Sequence, residues 1–396
     1  MPLTRNLYTE DEVVAALQLC ILRGKTVEAV FWAKELLDSQ MIEDFIRAMR
    51  EIWLLGFGIG ALRWYEEFSE MVESDELDES VLISCVVGLS CIGLNGGRDT
   101  TFLVIKGYNG SPEVVRECVV PSSLTGLDAY FAASILQGRV MCAWRVLHLV
   151  RQEVIELVAE YKHGAYGKRV IGLLYMAYPQ LVIAALCLPK GELERRWLKP
   201  FPPMLSEVAR AMKEWGEIVN PRGRRVYTIP HECLYWLTAR GYKDVYTTNE
   251  KDIIGSLERS SKLWGSTYWD SIAETYGGWA AIKTEAEVRE AFYDEHFPDD
   301  IPDEWSKKDR SVSHGWGAVQ PGATCSAERF LRTWFGRISS AVIWNKLHCA
   351  ITSFGACSSL ADIIGGEFYE KIPVEYMAEI SIQRKARPRV RLRPST

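Results

Sequence analysis

Six carboxylates lie between residues 294 and 304, and such a group of side chains is suited to bind a metal ion. Pro298-Asp299 resembles the first half of a metal-nuclease signature, whose second half is an acidic residue, one further residue and a lysine. Here Glu304 and Lys307 are separated by two residues, and no strand pattern surrounds them. We interpret the group as a solvated acidic loop that contacts a protein partner. The residues assigned to that contact are Asp299, Asp300, Asp303, Glu304 and Trp305.

Three other patterns fall short of a catalytic or cofactor site. His231-Glu232 begins like a zinc-protease helix, but Tyr235 stands where the second histidine ligand would be. The glycines at 56, 58 and 60 have the wrong spacing for a dinucleotide fingerprint, and the run 93–98 lacks the Lys-Ser/Thr pair of a phosphate loop. We therefore expect no metal, no cofactor and no enzymatic activity. A site assembled from residues remote in sequence, such as a Cys-His pair, stays open as the alternative.

Composition and cysteine usage indicate a globular protein of a reducing compartment. The 396-residue chain has a formal net charge of -6, which argues against extensive coating of nucleic acid but not against a local basic patch. Its ten cysteines are scattered through apolar runs without a Cys-x-x-Cys pair, so we predict buried free thiols. The first residues are polar and lack the apolar core of a secretory signal, which predicts a protein that is not secreted.

The stretch 383–396 is strongly basic, with six basic residues and no acidic one. We predict that this tail, which also contains two prolines, does not fold alone. It can contact phosphates of a nucleic acid without sequence specificity, or bind an acidic protein surface, or act only as a solubilising terminus. The basic side chains assigned to partner binding are Arg384, Lys385, Arg387, Arg389, Arg391 and Arg393.

The helical pattern is clearest at residues 9–53, which we predict to form three amphipathic helices joined by tight turns. Thr9 and Glu12 have the spacing of a capping box. Gly24 is placed to end the first helix in the left-handed conformation, and Ser39 is the predicted cap of the third. The predicted buried stripes are Val13, Leu17, Cys20 and Ile21, then Ala29, Trp32, Ala33 and Leu36, then Ile42, Phe45, Ile46, Met49, Ile52 and Trp53.

An internal echo of this hairpin occurs at residues 135–144. Ile21-Leu22-Arg23-Gly24-Lys25 is followed by Ala29 and Trp32, and Ile135-Leu136-Gln137-Gly138-Arg139 is followed by Ala143 and Trp144. We interpret the echo as one unit used twice, namely a helix, a glycine stop and a second helix whose alanine permits close packing. Chance similarity between two helical hairpins is the alternative.

We predict a mainly α-helical fold, with helical hairpins stacked in an irregular array and little β-structure. An N-terminal helical-hairpin domain covers residues 1–195. A proline-rich linker at 196–205 separates it from a mainly helical domain at 206–382, which carries a long loop at 294–321, and the disordered basic tail at 383–396 follows. The apolar stretch 170–188 approaches the ~20 residues of a membrane span, but Pro179 near its centre favours two short buried helices.

The chain has fourteen tryptophans, and nine of them fall into two groups. Those that share helical stripes with aliphatic residues are predicted core anchors, because each buries a large apolar area. Those in poorly patterned segments suit a large protein–protein contact, or else anchor long loops to their own domain. The first group is Trp32, Trp53, Trp144 and Trp344, and the second is Trp264, Trp269, Trp279, Trp305 and Trp316.

Two stretches carry a family resemblance. The first runs from Leu7-Tyr8-Thr9 through Gly24 to Ser39, and the second from Phe297 to Ser306 with Ser313-His314-Gly315 after it. Both resemble uncharacterised helical proteins of nucleocytoplasmic large DNA viruses. The resemblance implies an origin in a giant virus and a place in the virion or in the virus factory of the host cytoplasm, and it transfers no site residues.

We therefore expect a non-enzymatic structural or adaptor protein, such as a minor capsid component, that contacts other protein subunits in a large assembly. The helical hairpins, the surplus aromatic residues and the oppositely charged loop and tail motivate this expectation. The alternative is a nucleic-acid-associated factor that uses the basic tail. A membrane partner is not expected.

Overall fold

The computed structural model describes residues 3–6, 8, 10–74, 78–94, 99, 114–116, 118–198, 205–218 and 266–296. This part of the chain contains fifteen α-helices and no strand, which confirms the predicted mainly α-helical fold. The contacts of the chain separate two compact units, and each unit is assembled from segments that are distant in sequence. Unit 1 comprises Met1–Gly56, Glu67–Arg98 and Phe201–Arg337, and unit 2 comprises Phe57–Glu66, Asp99–Pro200 and Ile338–Thr396.

The helices follow one another in short steps along the chain. In order they are α1 (Glu10–Leu22), α2 (Thr26–Asp38), α3 (Ile42–Gly56), α4 (Leu62–Val72), α5 (Glu79–Leu94), α6 (Gly126–Leu136), α7 (Val140–Val146), α8 (Gln152–His163), α9 (Ala165–Leu174), α10 (Pro179–Cys187), α11 (Glu192–Leu198), α12 (Leu205–Ile218), α13 (Thr267–Thr275), α14 (Gly278–Thr284) and α15 (Ala286–His296). Two short 3₁₀ helices lie at Gly58–Ala61 and Leu147–Leu149. The domain boundary predicted at 196–205 lies largely outside the described residues and stays a prediction.

Helix α2 is the centre of unit 1. Helices α1, α3, α5 and α12 all pack against it, and every residue from Ala29 to Leu36 is buried. A helix that is covered on all sides is a core element rather than an amphipathic surface helix. The predicted stripe of α2 is therefore only part of a wider buried surface, which includes two charged residues, Lys34 and Glu35.

Two predictions for the start of α3 were wrong. Ile42 is 41% exposed because it lies in the first turn, while Phe45, Met49, Ile52 and Trp53 are buried as predicted. Ser39 does not cap α3. It is the C-terminal cap residue of α2, and its Oγ accepts a hydrogen bond from the backbone N–H of Arg5 at 2.8 Å. The predicted capping box of α1 includes Thr9, which lies outside the described residues.

A small helical cluster formed by α13, α14 and α15 completes the described part of unit 1. Its buried centre contains Trp269, Ala273, Ile282 and Phe292, together with Leu3 from the start of the chain. The predicted loop at 294–321 needs a correction at its first residues, because residues 294–296 form the last turn of α15. Phe292, which is fully buried, precedes this turn, and the ring of His296 in the turn lies 5.2 Å from the ring of Phe292.

Helix α10 is the core of unit 2. It contacts α6, α7, α8 and α9, and all of its residues are buried. The chain breaks between α9 and α10 at Pro179, which occupies the first turn of α10. This confirms two short helices in the apolar stretch 170–188, although the first begins at Ala165. Among the helices that the structure describes, none combines the length and apolar character that a membrane span requires.

Both stretches of the internal echo form the same turn. Gly24 has φ 68° and Gly138 has φ 70°. In unit 1 the N–H of Gly24 donates to Ile21 O and that of Lys25 to Cys20 O, at 3.0 and 2.9 Å. In unit 2 Gly138 donates to Ile135 O at 3.1 Å, and the next residue, Arg139, donates to Ser134 O at 2.8 Å. This pair of bonds is the Schellman motif, in which a glycine satisfies the last carbonyls of a helix.

Candidate protein-interaction site

The residues assigned to partner binding from the sequence lie outside the described part of the chain. They belong to the acidic loop at 299–305 and to the basic tail at 384–393, and their roles as partner contacts stay predictions. The acidic group begins inside α15, where Glu295 accepts a hydrogen bond from the Tyr276 hydroxyl at 2.5 Å. Burial and this carboxylate together raise the pKa of Tyr276 to about 12. One member of the acidic group is therefore used within unit 1.

The start of the chain is bound to α2 through its backbone. We call residues 3–6 and 8 the N-terminal segment. The carboxylate of Glu35 accepts two hydrogen bonds from Asn6, one from the backbone N–H at 2.9 Å and one from Nδ2 at 2.5 Å. Ser39 Oγ accepts the N–H of Arg5 one turn further along. The helix thus presents a row of acceptors to an irregular piece of main chain and satisfies two of its partly buried backbone donors.

Glu35 is the most deeply buried carboxylate of this contact, with 4% of the residue exposed. Burial raises the pKa of Glu35, and the hydrogen bonds from Thr4 and Asn6 oppose that rise without cancelling it. Because both carboxylate oxygens accept donors from Asn6, the group is committed to holding the N-terminal segment. Its geometry suits the binding of this segment through one backbone and one side-chain N–H group.

The opposite side of the N-terminal segment is held by the α13–α15 cluster. Ser266 Oγ donates to Leu3 O at 2.7 Å, and Trp269 Nε1 donates to Thr4 O at 3.0 Å. Trp269 is 1% exposed and contacts Phe292 edge-on. For this tryptophan the loop-anchoring interpretation is correct and the surface-contact interpretation is wrong, because its ring fills the core of the cluster while its N–H meets a backbone carbonyl.

Unit 2 repeats this kind of contact on its own hairpin. Gln137 is the C-terminal cap residue of α6. Its Oε1 accepts the N–H of Arg116 at 3.0 Å, and its Nε2 donates to the carbonyl of the same residue at 2.5 Å. Because the amide side chain of Gln137 pairs with the backbone N–H and C=O of Arg116, it recognises the main chain of Arg116 and not its side chain. The bound piece of chain also includes Val114 and Val119, which are 75% and 84% exposed.

The last turn of α8 binds the carbonyl ends of two other helices in unit 2. Lys162 Nζ donates to Ile135 O of α6 at 2.6 Å, and a ring nitrogen of His163 lies 2.9 Å from Leu186 O of α10. Burial lowers the pKa of both side chains. A cation at the C-terminal end of a helix is favoured by the partial negative charge of the carbonyl groups there. Lys162 therefore stabilises the same hairpin end that Gln137 caps.

A further polar contact in unit 2 fixes α11. Arg169 forms a two-pronged ion pair with Glu66, with both N···O distances at 2.7 Å. Trp197 Nε1 donates to the same carboxylate at 3.1 Å, and the Arg169 guanidinium lies 4.8 Å from the centre of the Trp197 ring. The arginine thus combines bidentate pairing with stacking, a geometry that lysine cannot supply.

The described thiols are placed as structural groups. Cys20, Cys85, Cys91, Cys142 and Cys187 are buried free thiols, as predicted, whereas Cys118 is exposed. Burial raises the pKa of Cys85 and of Cys187 to about 12. A thiol with so high a pKa is almost entirely protonated at neutral pH and is a poor nucleophile. Within the described residues, no three histidine, cysteine or acidic side chains converge as a metal site would require.

No protein-family model matches the sequence, and no curated protein or solved structure matches it. The resemblance to proteins of large DNA viruses therefore stays a prediction. The candidate site is therefore defined by geometry alone. In each unit a side chain on the face or at the end of a helix binds an irregular segment of the chain.

Glu35 and Gln137 are residues of the candidate site that the sequence did not reveal. Glu35 follows Phe31 by one turn within the buried stretch of α2, and a charged residue in such a position signals a polar partner from elsewhere in the chain. That signal was available in the sequence, but it did not identify Asn6. Gln137 stands at the variable position of the internal echo, where Arg23 stands in the first copy, and its partner could not be inferred from spacing.

Proposed function

We propose that the chain is a non-enzymatic structural or adaptor protein whose helical hairpins make protein–protein contacts. The observation that carries this proposal is the pair of backbone-binding contacts, Glu35 with Asn6 in unit 1 and Gln137 with Arg116 in unit 2. Gln137 bonds only to backbone groups, which every peptide possesses, whereas Glu35 accepts one backbone and one side-chain N–H of Asn6. A scaffold built in this way holds extended segments largely through their main chain, as other main-chain recognition modes do.

The first test identifies the proteins that form an assembly with this chain. The tagged full-length chain is expressed in the cells that produce it, cross-linked, purified and analysed by mass spectrometry. We expect reproducible cross-links from lysines of the hairpins, such as Lys25 and Lys168, to other protein subunits. A chain that is recovered alone and gives only internal cross-links would contradict the proposal.

We further propose that this assembly is the virion or the virus factory of a large DNA virus. Support for this setting comes from the resemblance of residues 7–39 and 297–315. Quantitative mass spectrometry of purified particles tests it, with a non-structural viral protein as the contamination control. Recovery of the chain at the level of that control would rule out a virion component.

A further inference from the structure

Two hydrogen bonds tie the N-terminal segment to itself. The backbone N–H of Thr4 donates to the carbonyl of Tyr8 at 2.8 Å, and the backbone N–H of Tyr8 donates to Thr4 Oγ1 at 3.1 Å. Thr4 and Tyr8 are 0% and 1% exposed. Hydrogen bonds between buried groups are costly to break. We therefore expect the segment to move as one body.

Helix α2 holds one side of this body. In addition to the two bonds from Asn6, the Glu35 carboxylate accepts a hydrogen bond from the hydroxyl of Thr4. The Tyr8 ring contacts Trp32 edge-on, with 5.0 Å between the ring centroids. Glu35 and Trp32 are both buried. The attachment of the segment to α2 therefore combines buried polar contacts with an aromatic one.

The α13–α15 cluster holds the other side. Leu3 has no exposed surface and belongs to the buried centre of the cluster. Ser266 and Trp269, whose side chains donate to the carbonyls of Leu3 and Thr4, are buried as well. Thr4 thus bonds to both sides, because its carbonyl accepts from Trp269 and its hydroxyl donates to Glu35.

A direct contact between the cluster and the turn from α2 to α3 is weaker. Gln40 Nε2 lies 3.4 Å from Ser271 Oγ at an exposed position. This distance exceeds the ~3.2 Å that is usual for a hydrogen bond from N–H to oxygen, and solvent competes for both groups. The buried contacts described above, by contrast, join the cluster to α2 through the N-terminal segment.

We propose that the N-terminal segment is a clasp, which docks the α13–α15 cluster on α2 and opens on both sides at once. Because the segment is one body and Thr4 bonds to both sides, a segment that leaves Glu35 also withdraws Leu3 and Thr4 from the cluster. Such an opening, short of global unfolding, is a sub-global event. The clasp is independent of the proposed adaptor role, which cross-linking to other subunits tests separately.

Coupling between the two sides of the clasp has to be reciprocal. A variant that weakens the hold of α2 should speed hydrogen exchange in the cluster, and a variant in the cluster should speed exchange of the amides that α2 holds. The cluster is a sensitive reporter because α13, α14 and α15 have only 9, 7 and 11 residues. Helices shorter than ~12 residues are marginal in water on their own, so these three depend on the core that includes Leu3.

The experiment is hydrogen exchange of the full-length chain, followed by mass spectrometry. Asn6→Ala removes the bond from Nδ2 to Glu35 and keeps the donors of the cluster, Ser266 and Trp269. We expect the backbone amides of α13–α15 to exchange about tenfold faster, by the same factor as those of the segment, because a hydrogen bond to a buried charged group is lost.

Ser266→Ala provides the reverse test. It removes the donor to the Leu3 carbonyl, and α13 keeps its end because the Ser266 side chain does not cap that helix. We expect the peptide that contains Arg5 and Asn6 to exchange about fivefold faster, since a buried carbonyl loses its donor. This variant also keeps the clasp testable if Asn6→Ala does not fold.

Arg5→Ala is the matched control within the segment. The Arg5 side chain is 46% exposed, and the variant keeps the backbone N–H that bonds to Ser39. It should leave exchange in the cluster within about twofold of the wild type, as loss of an exposed ion pair does. The clasp would be overturned if Asn6→Ala accelerates exchange only in the segment, or if Ser266→Ala accelerates it only in the cluster. Equal acceleration in α3 would indicate global destabilisation and would overturn it too.

Discussion

The hairpins α1–α2 in unit 1 and α6–α7 in unit 2 begin alike and end differently. Both turn at a glycine in the left-handed region with the same pair of hydrogen bonds. Thereafter α2 continues for 13 residues, whereas α7 ends after 7 and passes into a 3₁₀ helix. The comparison shows that the turn is fixed by local sequence, while the length and burial of the following helix are fixed by what packs on it.

The buried charged groups that hold a segment or a helix end, Glu35 in unit 1 and Lys162 in unit 2, have opposite sign. Unit 1 places the carboxylate of Glu35 inside α2, where it accepts backbone and side-chain N–H groups. Unit 2 places the ammonium of Lys162 at the end of α6, where it donates to a carbonyl. The carboxylate in unit 1 accepts a backbone N–H, and the ammonium in unit 2 donates to a backbone carbonyl. Each charge thus binds main-chain groups of the opposite polarity.

The largest contrast between the units is expected at their buried glycines. A methyl group at Gly167 would lie 2.7 Å from the carbonyl carbon of Ala159 in α8, and backbone cannot move aside at low cost. A methyl group at Gly56 would collide with the end of the flexible Leu22 side chain. We expect Gly167→Ala to destabilise the protein by about 3 kcal/mol and Gly56→Ala by about 1 kcal/mol, as measured by urea unfolding.

Gly172→Ala provides the control on the same helix as Gly167. No atom within 4 Å opposes its methyl group, and alanine favours helix over glycine by ~0.5–1 kcal/mol. A slight stabilisation is therefore expected. Equal effects of alanine at positions 167 and 172 would show that α8 and α9 are not in close contact.

The next largest effect is expected at Glu35. Glu35→Ala leaves the two donors of Asn6 without their acceptors, which should cost about 2 kcal/mol and release the N-terminal segment. Hydrogen exchange followed by mass spectrometry should then show faster exchange of the backbone amides at residues 3–8. Unchanged protection there would mean that α2 does not hold the segment.

The pH dependence of unit 1 should change with the same residue. Because the pKa of folded Glu35 is raised above its ordinary value of 4.5, its contribution favours folding below pH 4.5 and is lost as the pH rises through the folded pKa. Glu35→Gln removes this slope. The free energy of unfolding of the variant should therefore increase relative to that of the wild type from pH 4 to pH 8.

Helix positions and turns were the predictable part of this molecule. Glycine stops, proline breaks and apolar spacing are local, and they correctly indicated α1 to α3, the turn at Gly138 and the break at Pro179. The contacts of the candidate site were not predictable, because Glu35 with Asn6 and Gln137 with Arg116 join residues 29 and 21 positions apart. The sequence indicates that a buried carboxylate needs a hydrogen-bond donor, but the packing of the whole unit determines which residue supplies it.

Lys162 should show the opposite pH trend to Glu35. Its pKa is lowered by burial, so the unfolded chain binds the proton more tightly and stability rises with pH up to the ordinary value of 10.5. Lys162→Met should remove that rise. At neutral pH it should change stability by about 1 kcal/mol or less, since the lost hydrogen bond and the removed cost of burying a charge oppose each other. Urea unfolding at pH 7 and pH 9 checks both statements, and a slope retained in the variant would assign the trend to another group.

The smallest expected effect is at Gln137, because its contact is exposed to solvent. Gln137→Ala should cost about 0.5–1 kcal/mol and speed hydrogen exchange at Arg116. Gln137→Glu keeps an acceptor for the N–H of Arg116 but replaces the donor by an oxygen that repels its carbonyl. If the glutamine reads both backbone groups, the glutamate variant should lose protection almost as fully as the alanine variant. If the glutamate variant behaves like the wild type, only the hydrogen bond from the Arg116 N–H contributes. The contact in unit 2 would then be a single accepted N–H, like that of Ser39 with Arg5 in unit 1.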